Sequence, residues 1–290
     1  MEQSKPTGKL GILLRVGIFA FMEIAGLTIL GPLMLPIGGY LVAAALSTFG
    51  AAAIANAVAV RVYERGDLSA VGLGWSAASV RNLIVGLAGG VTAALFVLAP
   101  ALALGLAEWK KAEGWEGGAA SIGFVALVLL FGAIGEELLF RGYGFQVLLG
   151  TLGRFATILP MAVLFGAAHS NNQNASTLGI VNTVLWGLLF CFAFLHSRDL
   201  WLPIGIHYGW NLVLPLFGAN LSGFTMKVTG YSMHWKIADV WSGGEYGPEA
   251  GLLTTAAVVM LFAALGKAPV IRQVSSLYKP GDDIEAEREV

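Results

Sequence analysis

Phe124-Val125-Ala126-Leu127-Val128-Leu129-Leu130-Phe131, then Gly135-Glu136-Glu137-Leu138-Leu139-Phe140-Arg141: an apolar run of membrane-spanning character ends in two adjacent carboxylates. A charged side chain at the bilayer centre costs about 3 kcal/mol or more, so ionisable residues inside such runs are rare and usually functional. Two more polar pairs stand in later apolar stretches, Phe165-x-x-x-His169 and His207-x-x-x-Asn211. Together the three clusters point to chemistry carried out inside a membrane.

The rest of the chain agrees with that reading. It has 290 residues, 57% hydrophobic and 12% charged, with a mean hydropathy of +0.75. Soluble domains carry about 25% charged residues, so there is too little polar surface here to cover a water-soluble globule. The expected fold is all-α: a polytopic transmembrane bundle of about eight helices forming one membrane-embedded domain over residues 1–290. Its motif-bearing core lies at about 119–218, with a cytoplasmic tail at 267–290. The 39 glycines suit helices that approach closely in lipid, Gly86-x-x-x-Gly90 being one such pair. Cys191 is the only cysteine, which excludes an internal disulfide and reads as a packed thiol. A net charge of -1 gives no reason to expect nucleic acid as a partner. The first apolar stretch is long and has no small-residue cleavage site, so it reads as a first span rather than a signal peptide.

Eight apolar stretches approach the about 20 residues that cross the hydrocarbon core. They lie at 11–36, 38–60, 83–107, 119–143, 155–170, 176–197, 201–218 and 249–266. An even number of spans puts both termini on one side. Lys5, Lys9, Arg15, Arg61, Arg65, Arg81, Arg141, Arg154, Arg198, Lys267, Arg272, Lys279 and Arg288 fall at that side, and Lys110, Lys111, Lys227 and Lys236 opposite. The positive-inside rule then places both termini in the cytoplasm. Trp109 and Trp115 suit a headgroup belt, and the long loop from Gly218 to Pro248 is a candidate cap. His196 reads as solvated in a cytoplasmic turn and His234 as interfacial. Asn171-Asn172-Gln173-Asn174 reads as a polar loop, with the lining of a substrate entrance as the alternative.

On a helix at about 100° per residue, Glu137 and Arg141 are four apart and share a face, so they form a buried ion pair. Glu136 is turned away from that pairing. A desolvated, unpaired carboxylate is a candidate proton acceptor, which assigns Glu136 to chemistry and Glu137 with Arg141 to structure. His169 and His207 sit on the faces of two further helices, each with a partner four residues away. Three helices can thus bring a carboxylate, two imidazoles and an amide to one cavity, the set that activates water and stabilises a tetrahedral oxyanion. No serine or cysteine nucleophile stands beside a His–Asp pair, so direct attack by water is the simpler chemistry. One difficulty accompanies this. Counted from the expected helix starts, His169 and His207 differ in depth by about 12 Å, unless the fifth helix starts later or the helices tilt strongly.

Glu136-Glu137-x-x-x-Arg141, Phe165-x-x-x-His169 and His207-x-x-x-Asn211 resemble the three-motif signature of the CAAX protease and bacteriocin-processing family. That family includes the eukaryotic prenyl-protein endopeptidase and the bacterial Abi proteins. The resemblance covers residues 70–218, with the motifs in family order on successive apolar segments. It implies that Glu136 and His169 position and deprotonate the attacking water, that His207 and Asn211 bind the oxyanion, and that Glu137, Arg141 and Phe165 support them. It also implies an alternative in which Glu136, His169 and His207 hold a catalytic zinc, the three-ligand open site such a metal requires. The metal-free reading is preferred here; activity lost to a chelator and restored by zinc would reverse it.

The sequence thus reads as an intramembrane endopeptidase whose partners are the lipid bilayer and a peptide or protein substrate that comes to the membrane. By resemblance the substrates are prenylated tails, bacteriocin leader peptides or other membrane-tethered proteins. Two rivals use the same residues differently: a proton-coupled transporter, with Glu and His as a relay, and a non-catalytic membrane scaffold or sensor of the same fold. Flux without cleavage distinguishes the first, and full cellular function of a Glu136→Gln variant the second.

Overall fold

The computed structural model describes residues 8–114, 117–274 and 277–278. Lys5, Trp115, Lys279, Arg288 and the last part of the expected tail, 280–290, lie outside the described residues. The order of elements is α1 (Lys9–Ala59), α2 (Ala77–Ala103), β1 (Ala107–Lys111), α3 (Ala119–Arg141), α4 (Tyr143–Ala168), α5 (Thr177–Ser197), α6 (Trp201–Leu216), β2 (Tyr231–Trp235), the single turn α7 (Asp239–Ser242) and α8 (Leu252–Leu265).

Local chemistry sets several of these boundaries. Ser76 caps α2, accepting from the Ser79 N–H while Ser79 Oγ accepts from the Ser76 N–H, and Ser176 caps α5 through the Gly179 N–H. Two helices contain breaks. In α1, Gly38 and Gly39 leave helical geometry and divide the expected first and second spans. In α4, Gly153 at φ 77° starts a new segment at 154, close to the expected start of the fifth span. The stretch 143–152 before it is also helical, which the span reading did not anticipate.

The fold is an all-α helical bundle. Leu10–Glu64, Ala77–Ala103, Ala119–Ala168 and Thr177–Ser197 are long and apolar enough to cross a membrane. Large apolar side chains such as Phe21, Ile24, Ile54, Phe124 and Phe155 point outward, as expected where the surroundings are lipid. The chain is an integral membrane protein. Eight full crossings are not met by helix length: α6 and α8, with 16 and 14 residues, rise about 24 and 21 Å against a hydrocarbon thickness of about 30 Å.

Two further features depart from the sequence reading. Residues around Trp109 and in the long loop, both read as irregular, pair as an antiparallel ribbon in which Glu108 faces His234 and Trp109 faces Met233. Lys236 and Lys110 both bridge Glu108 there, and their hydrogen bonds hold its carboxyl below the usual carboxylate range. His234 is exposed on this ribbon. The described part of the expected tail also packs back on the bundle. The Gln273 N–H donates to the Ser197 carbonyl, the Ile271 N–H donates to Asn82 Oδ1, and the Arg198 guanidinium lies 3.9 Å from the centre of the Tyr278 ring.

The tightest helix contact joins α2 to α6. Gly86 and Gly90 of α2 face Gly205 and Gly209 of α6, so two small-x-x-x-small pairs interlock. A Cβ added at Gly209 would lie 2.6 Å from the Leu87 carbonyl oxygen, and one at Gly90 would lie 2.8 Å from the Trp210 nitrogen. With glycine at these positions the two backbones touch. The main core then fills the space around them with Val97, Leu98, Trp186, Leu189, Phe190, Leu202, Ile206 and Trp210.

Candidate active site

α3 contributes the two carboxylates, and they face different surroundings. Glu137 and Arg141 are fully buried, and Glu137 Oε2 lies 3.2 Å from Arg141 Nε. The guanidinium is enclosed by rings, 4.6 Å from the centre of Phe165, 5.0 Å from Phe190 and 5.7 Å from Phe140. This aromatic box replaces part of the water that the buried cation has lost. The pair is closer than the sequence could show to the chemistry: Glu137 Oε1 also lies 2.9 Å from His207 Nδ1.

Glu136 points the other way, into a cavity of about 330 Å³. Its Oε2 is buried and makes no hydrogen bond among the described residues. The nearest groups to this oxygen are His169 Nε2 and His207 Nε2, each 3.8 Å away. The structure therefore brings Glu136, His169 and His207 to one point, and Asn211 lines the same cavity one turn beyond His207. The Asn211 amide makes no hydrogen bond among the described residues.

Hydrogen bonding fixes how the two imidazoles present themselves. His169 Nδ1 lies 2.8 Å from the Phe165 carbonyl oxygen. A carbonyl only accepts, so Nδ1 carries the proton and Nε2 of the neutral ring faces Glu136 as a lone pair. The same logic puts a proton on His207 Nδ1, which donates to Glu137. The Phe165 ring packs edge-on to Phe140 and Phe190 and lies 4.9 Å from the His169 ring. Phe190 stacks on His207, with centroids 4.9 Å apart.

The depth difficulty resolves at the start of α6. The fifth helical segment does not begin late, since it restarts at 154. Instead the turn before α6 is buried: Ser197, Arg198, Asp199 and Leu200 are all at most 3% exposed, and the Leu200 N–H donates to the Gly72 carbonyl. α6 therefore begins inside the bundle, and counting depth from a common plane misplaces His207. This also corrects the reading of His196 as solvated: it is half-buried beside that buried turn. Burial raises the Asp199 carboxyl above its usual range, against the opposing pull of Asn82, Ser197, Leu202 and Gln273.

Among the cavity residues that escaped the sequence reading of the site are Glu249, Trp186 and Ser222. Glu249 precedes α8 and accepts from Trp210 Nε1 at 3.3 Å and from Ser222 Oγ at 2.8 Å. Behind it the Tyr246 hydroxyl is pushed up to about 12, first by burial and then by the Glu249 charge, so it stays a neutral phenol. Asn172, read as a loop residue with an entrance role as the alternative, lines the cavity. Glu23 of α1 was also missed. It is buried, and its Oε1 has no hydrogen-bond partner among the described residues. An acid inside an apolar span was the available signal.

The donor types at Glu136, His169 and His207 are those of a catalytic zinc, but their arrangement does not fit one. Among the described residues no group of three or more His, Cys, Asp or Glu side chains is gathered as a metal site. The 3.8 Å separations exceed the about 3.4 Å between ligands on a tetrahedron with 2.1 Å bonds.

Comparison with known proteins finds a similarity over the segment that carries these residues. Residues 118–213 match the family model Rce1-like, described as type II CAAX prenyl endopeptidase Rce1-like. No curated protein and no solved structure matches the chain. The matched segment runs from the start of α3 into α6 and contains Glu136, Glu137, Arg141, Phe165, His169, His207 and Asn211. Over this third of its length the chain is similar to the type II CAAX prenyl endopeptidases.

Proposed function

We propose that this protein is an intramembrane endopeptidase that hydrolyses a peptide bond with water activated by Glu136 and His169. The observation that carries the proposal is the approach of both imidazole Nε2 atoms to the same unpartnered oxygen of Glu136. A water molecule off these two lines is within hydrogen-bond reach of all three groups.

In this scheme the water donates one hydrogen bond to Glu136 Oε2 and one to His169 Nε2, which aims its oxygen. As that oxygen attacks the scissile carbonyl carbon, Glu136 takes the proton. The carbonyl oxygen becomes an oxyanion and accepts from the Asn211 amide and from Nε2–H of a protonated His207. Glu137, accepting at His207 Nδ1, favours that imidazolium, and Arg141 keeps Glu137 ionised and in place. When the tetrahedral intermediate collapses, the C–N bond breaks and Glu136 returns its proton to the leaving nitrogen. Each removed oxyanion donor typically costs 10²–10³-fold in rate. By resemblance to the family the substrates are prenylated C-terminal tails or other membrane-associated peptides. We also infer that both termini face the cytoplasm, on the distribution of basic residues, and that residues 1–290 act as one membrane-embedded unit.

Purified protein in liposomes, offered a mixed library of prenylated and unmodified peptides and read by mass spectrometry, tests this directly. Cleavage is expected from the wild type and not from Glu136→Gln. Equal cleavage by both would remove Glu136 from the reaction, and absence of cleavage in both would favour the scaffold and transporter readings.

A further inference from the structure

The cavity that holds Glu136 contains a second carboxylate that the scheme above does not use. Its lining among the described residues includes Glu136 and Glu249 and neither Lys nor Arg. Arg141, the nearest cation to the reacting groups, lies behind Glu137 and is only 1% exposed. A peptide entering the cavity therefore meets two acids with no lining side chain of fixed positive charge.

Glu249 is held by donors on both of its oxygens. The Trp210 indole N–H and the Ser222 backbone N–H can only donate, and they address different oxygens of the carboxylate. Ser222 Oγ adds a third bond at 2.8 Å. Burial raises the carboxyl above its usual range, and the three donors shared over two oxygens pull against it. The Ser222 turn is itself held tightly. Ser222 adopts a left-handed backbone conformation at φ 50°, a strained position for a residue with a side chain. The Leu221 and Phe224 N–H groups bond each other's carbonyls, and the Gly223 N–H donates to the Tyr246 carbonyl. Each N–H of this turn is thus already engaged, so the turn acts as a fixed wall and offers a peptide backbone no donor. Its contribution to recognition is the Glu249 field and the apolar faces of Leu221 and Phe224.

We propose that Glu249 is a specificity-determining residue of this cavity: it disfavours peptides with an acidic side chain or a free carboxylate toward the Ser222 wall, and favours neutral or basic ones. The inference rests on the protease reading and adds to it the charge class of the substrate. One charge acting at roughly 10 Å through an effective dielectric of about 20 changes relative affinity about tenfold.

The test uses peptide sets that carry Asp, Asn or Lys in turn at each position near the cleaved bond, with wild type, Glu249→Gln and Glu249→Asp in liposomes. At one or more positions the wild type should cleave the Asn and Lys peptides about tenfold better than the Asp peptide. Glu249→Gln should bring that ratio near one, and Glu249→Asp should keep it. A purely structural role for Glu249 would lower all rates together and leave the ratio unchanged, which would overturn the proposal. If Glu249→Gln does not fold, the wild-type ratio decides, and a wild type indifferent to charge overturns it. No cleavage of any peptide by the wild type would count against the protease reading. The same ratio is then measured as binding to Glu136→Gln, with and without Glu249→Gln, and a binding ratio that ignores Glu249 would again overturn the proposal.

Discussion

Gly209→Ala adds one methyl group on the opposite side of α6 from the reaction and should nevertheless damage it. The new Cβ would lie 2.6 Å from the Leu87 carbonyl oxygen and 2.9 Å from the Val91 nitrogen of α2. Both are backbone atoms, so no side chain can rotate away. Restoring an ordinary contact of 3.4 Å requires the two helices to separate by about 0.8 Å. His207 is two residues away on the moving helix, and its 2.9 Å bond to Glu137 does not survive a shift of that size in a rigid helix. Overpacking of this kind costs about 1–3 kcal/mol, and a misplacement near 1 Å costs about 10²-fold in rate. The assay pairs a thermal melt in detergent with peptide cleavage in liposomes. Gly123→Ala is the control: it lies on α3, the helix of Glu136, and an added Cβ there meets nothing within 4 Å. The control should melt at or slightly above the wild-type temperature, because alanine favours helix by about 1 kcal/mol over glycine, and it should cleave normally. If Gly209→Ala melts and cleaves like Gly123→Ala, the close α2–α6 contact does not hold His207, and the reasoning is wrong.

Glu137→Gln should abolish cleavage and destabilise the protein by about 3–5 kcal/mol, because it leaves Arg141 as an unpaired buried charge; adding Arg141→Met should recover much of the stability, seen in the melt, without recovering cleavage. Glu23→Met should raise the melting temperature, since it removes a buried carboxyl oxygen that has no partner among the described residues; a lower melting temperature would mean that Glu23 has a partner in the working protein. For Asp199 the folded pKa lies above the unfolded one, mainly through burial. Its stabilising contribution is therefore fully present below the unfolded value of about 3.9 and is lost as pH rises through the folded value. Melts across that range should show a downward slope with rising pH in the wild type that is absent in Asp199→Asn.

The sequence was most legible where the signal is local. An apolar run needs no partner to be recognised, and the spans expected at 119–143, 176–197 and 201–218 appear as α3, α5 and α6 with ends within about two residues. Glu136, His169, His207 and Asn211 were each marked by being polar in an apolar segment. What escaped depends on contacts between distant segments. The β1–β2 ribbon forms from two short stretches separated by four helices, neither of which alternates strongly enough to be seen by itself. The depth of His207 was misjudged because a polar turn, Ser197–Leu200, is covered by residues 72 and 273 rather than by water. Glu137 was read as structural because Arg141 is four residues away and visible, whereas His207 is on another helix. Gly86-x-x-x-Gly90 reads as a helix-contact pair from sequence, but its counterpart, Gly205 with Gly209, is defined only by the packing of α6 against α2.

The residues assigned to the chemistry lie in one part of this chain, while the cavity around them draws on several. The matched segment, 118–213, supplies the residues assigned here to reaction. That segment also supplies much of the cavity wall, which is completed by Leu27, Leu41 and Ala44 from the two halves of α1, Leu221 and Phe224 from the turn after α6, and Glu249 before α8. The proposed hydrolysis needs a carboxylate, two imidazoles and an amide close to a working geometry, and the helices α3, α4 and α6 hold those with backbone contacts and a buried ion pair. Selectivity tolerates far more variation, because a wall residue acts through bulk and charge at several ångströms. Substitutions at Leu41, Phe224 or Glu249 should therefore change which peptides are cleaved while the response to Glu136→Gln stays the same. Substitutions at Phe165 or Arg141 should lower cleavage of every peptide alike. A chain with the same three motifs and a different α1 or Ser222 wall is, on this reasoning, the same catalyst with another substrate.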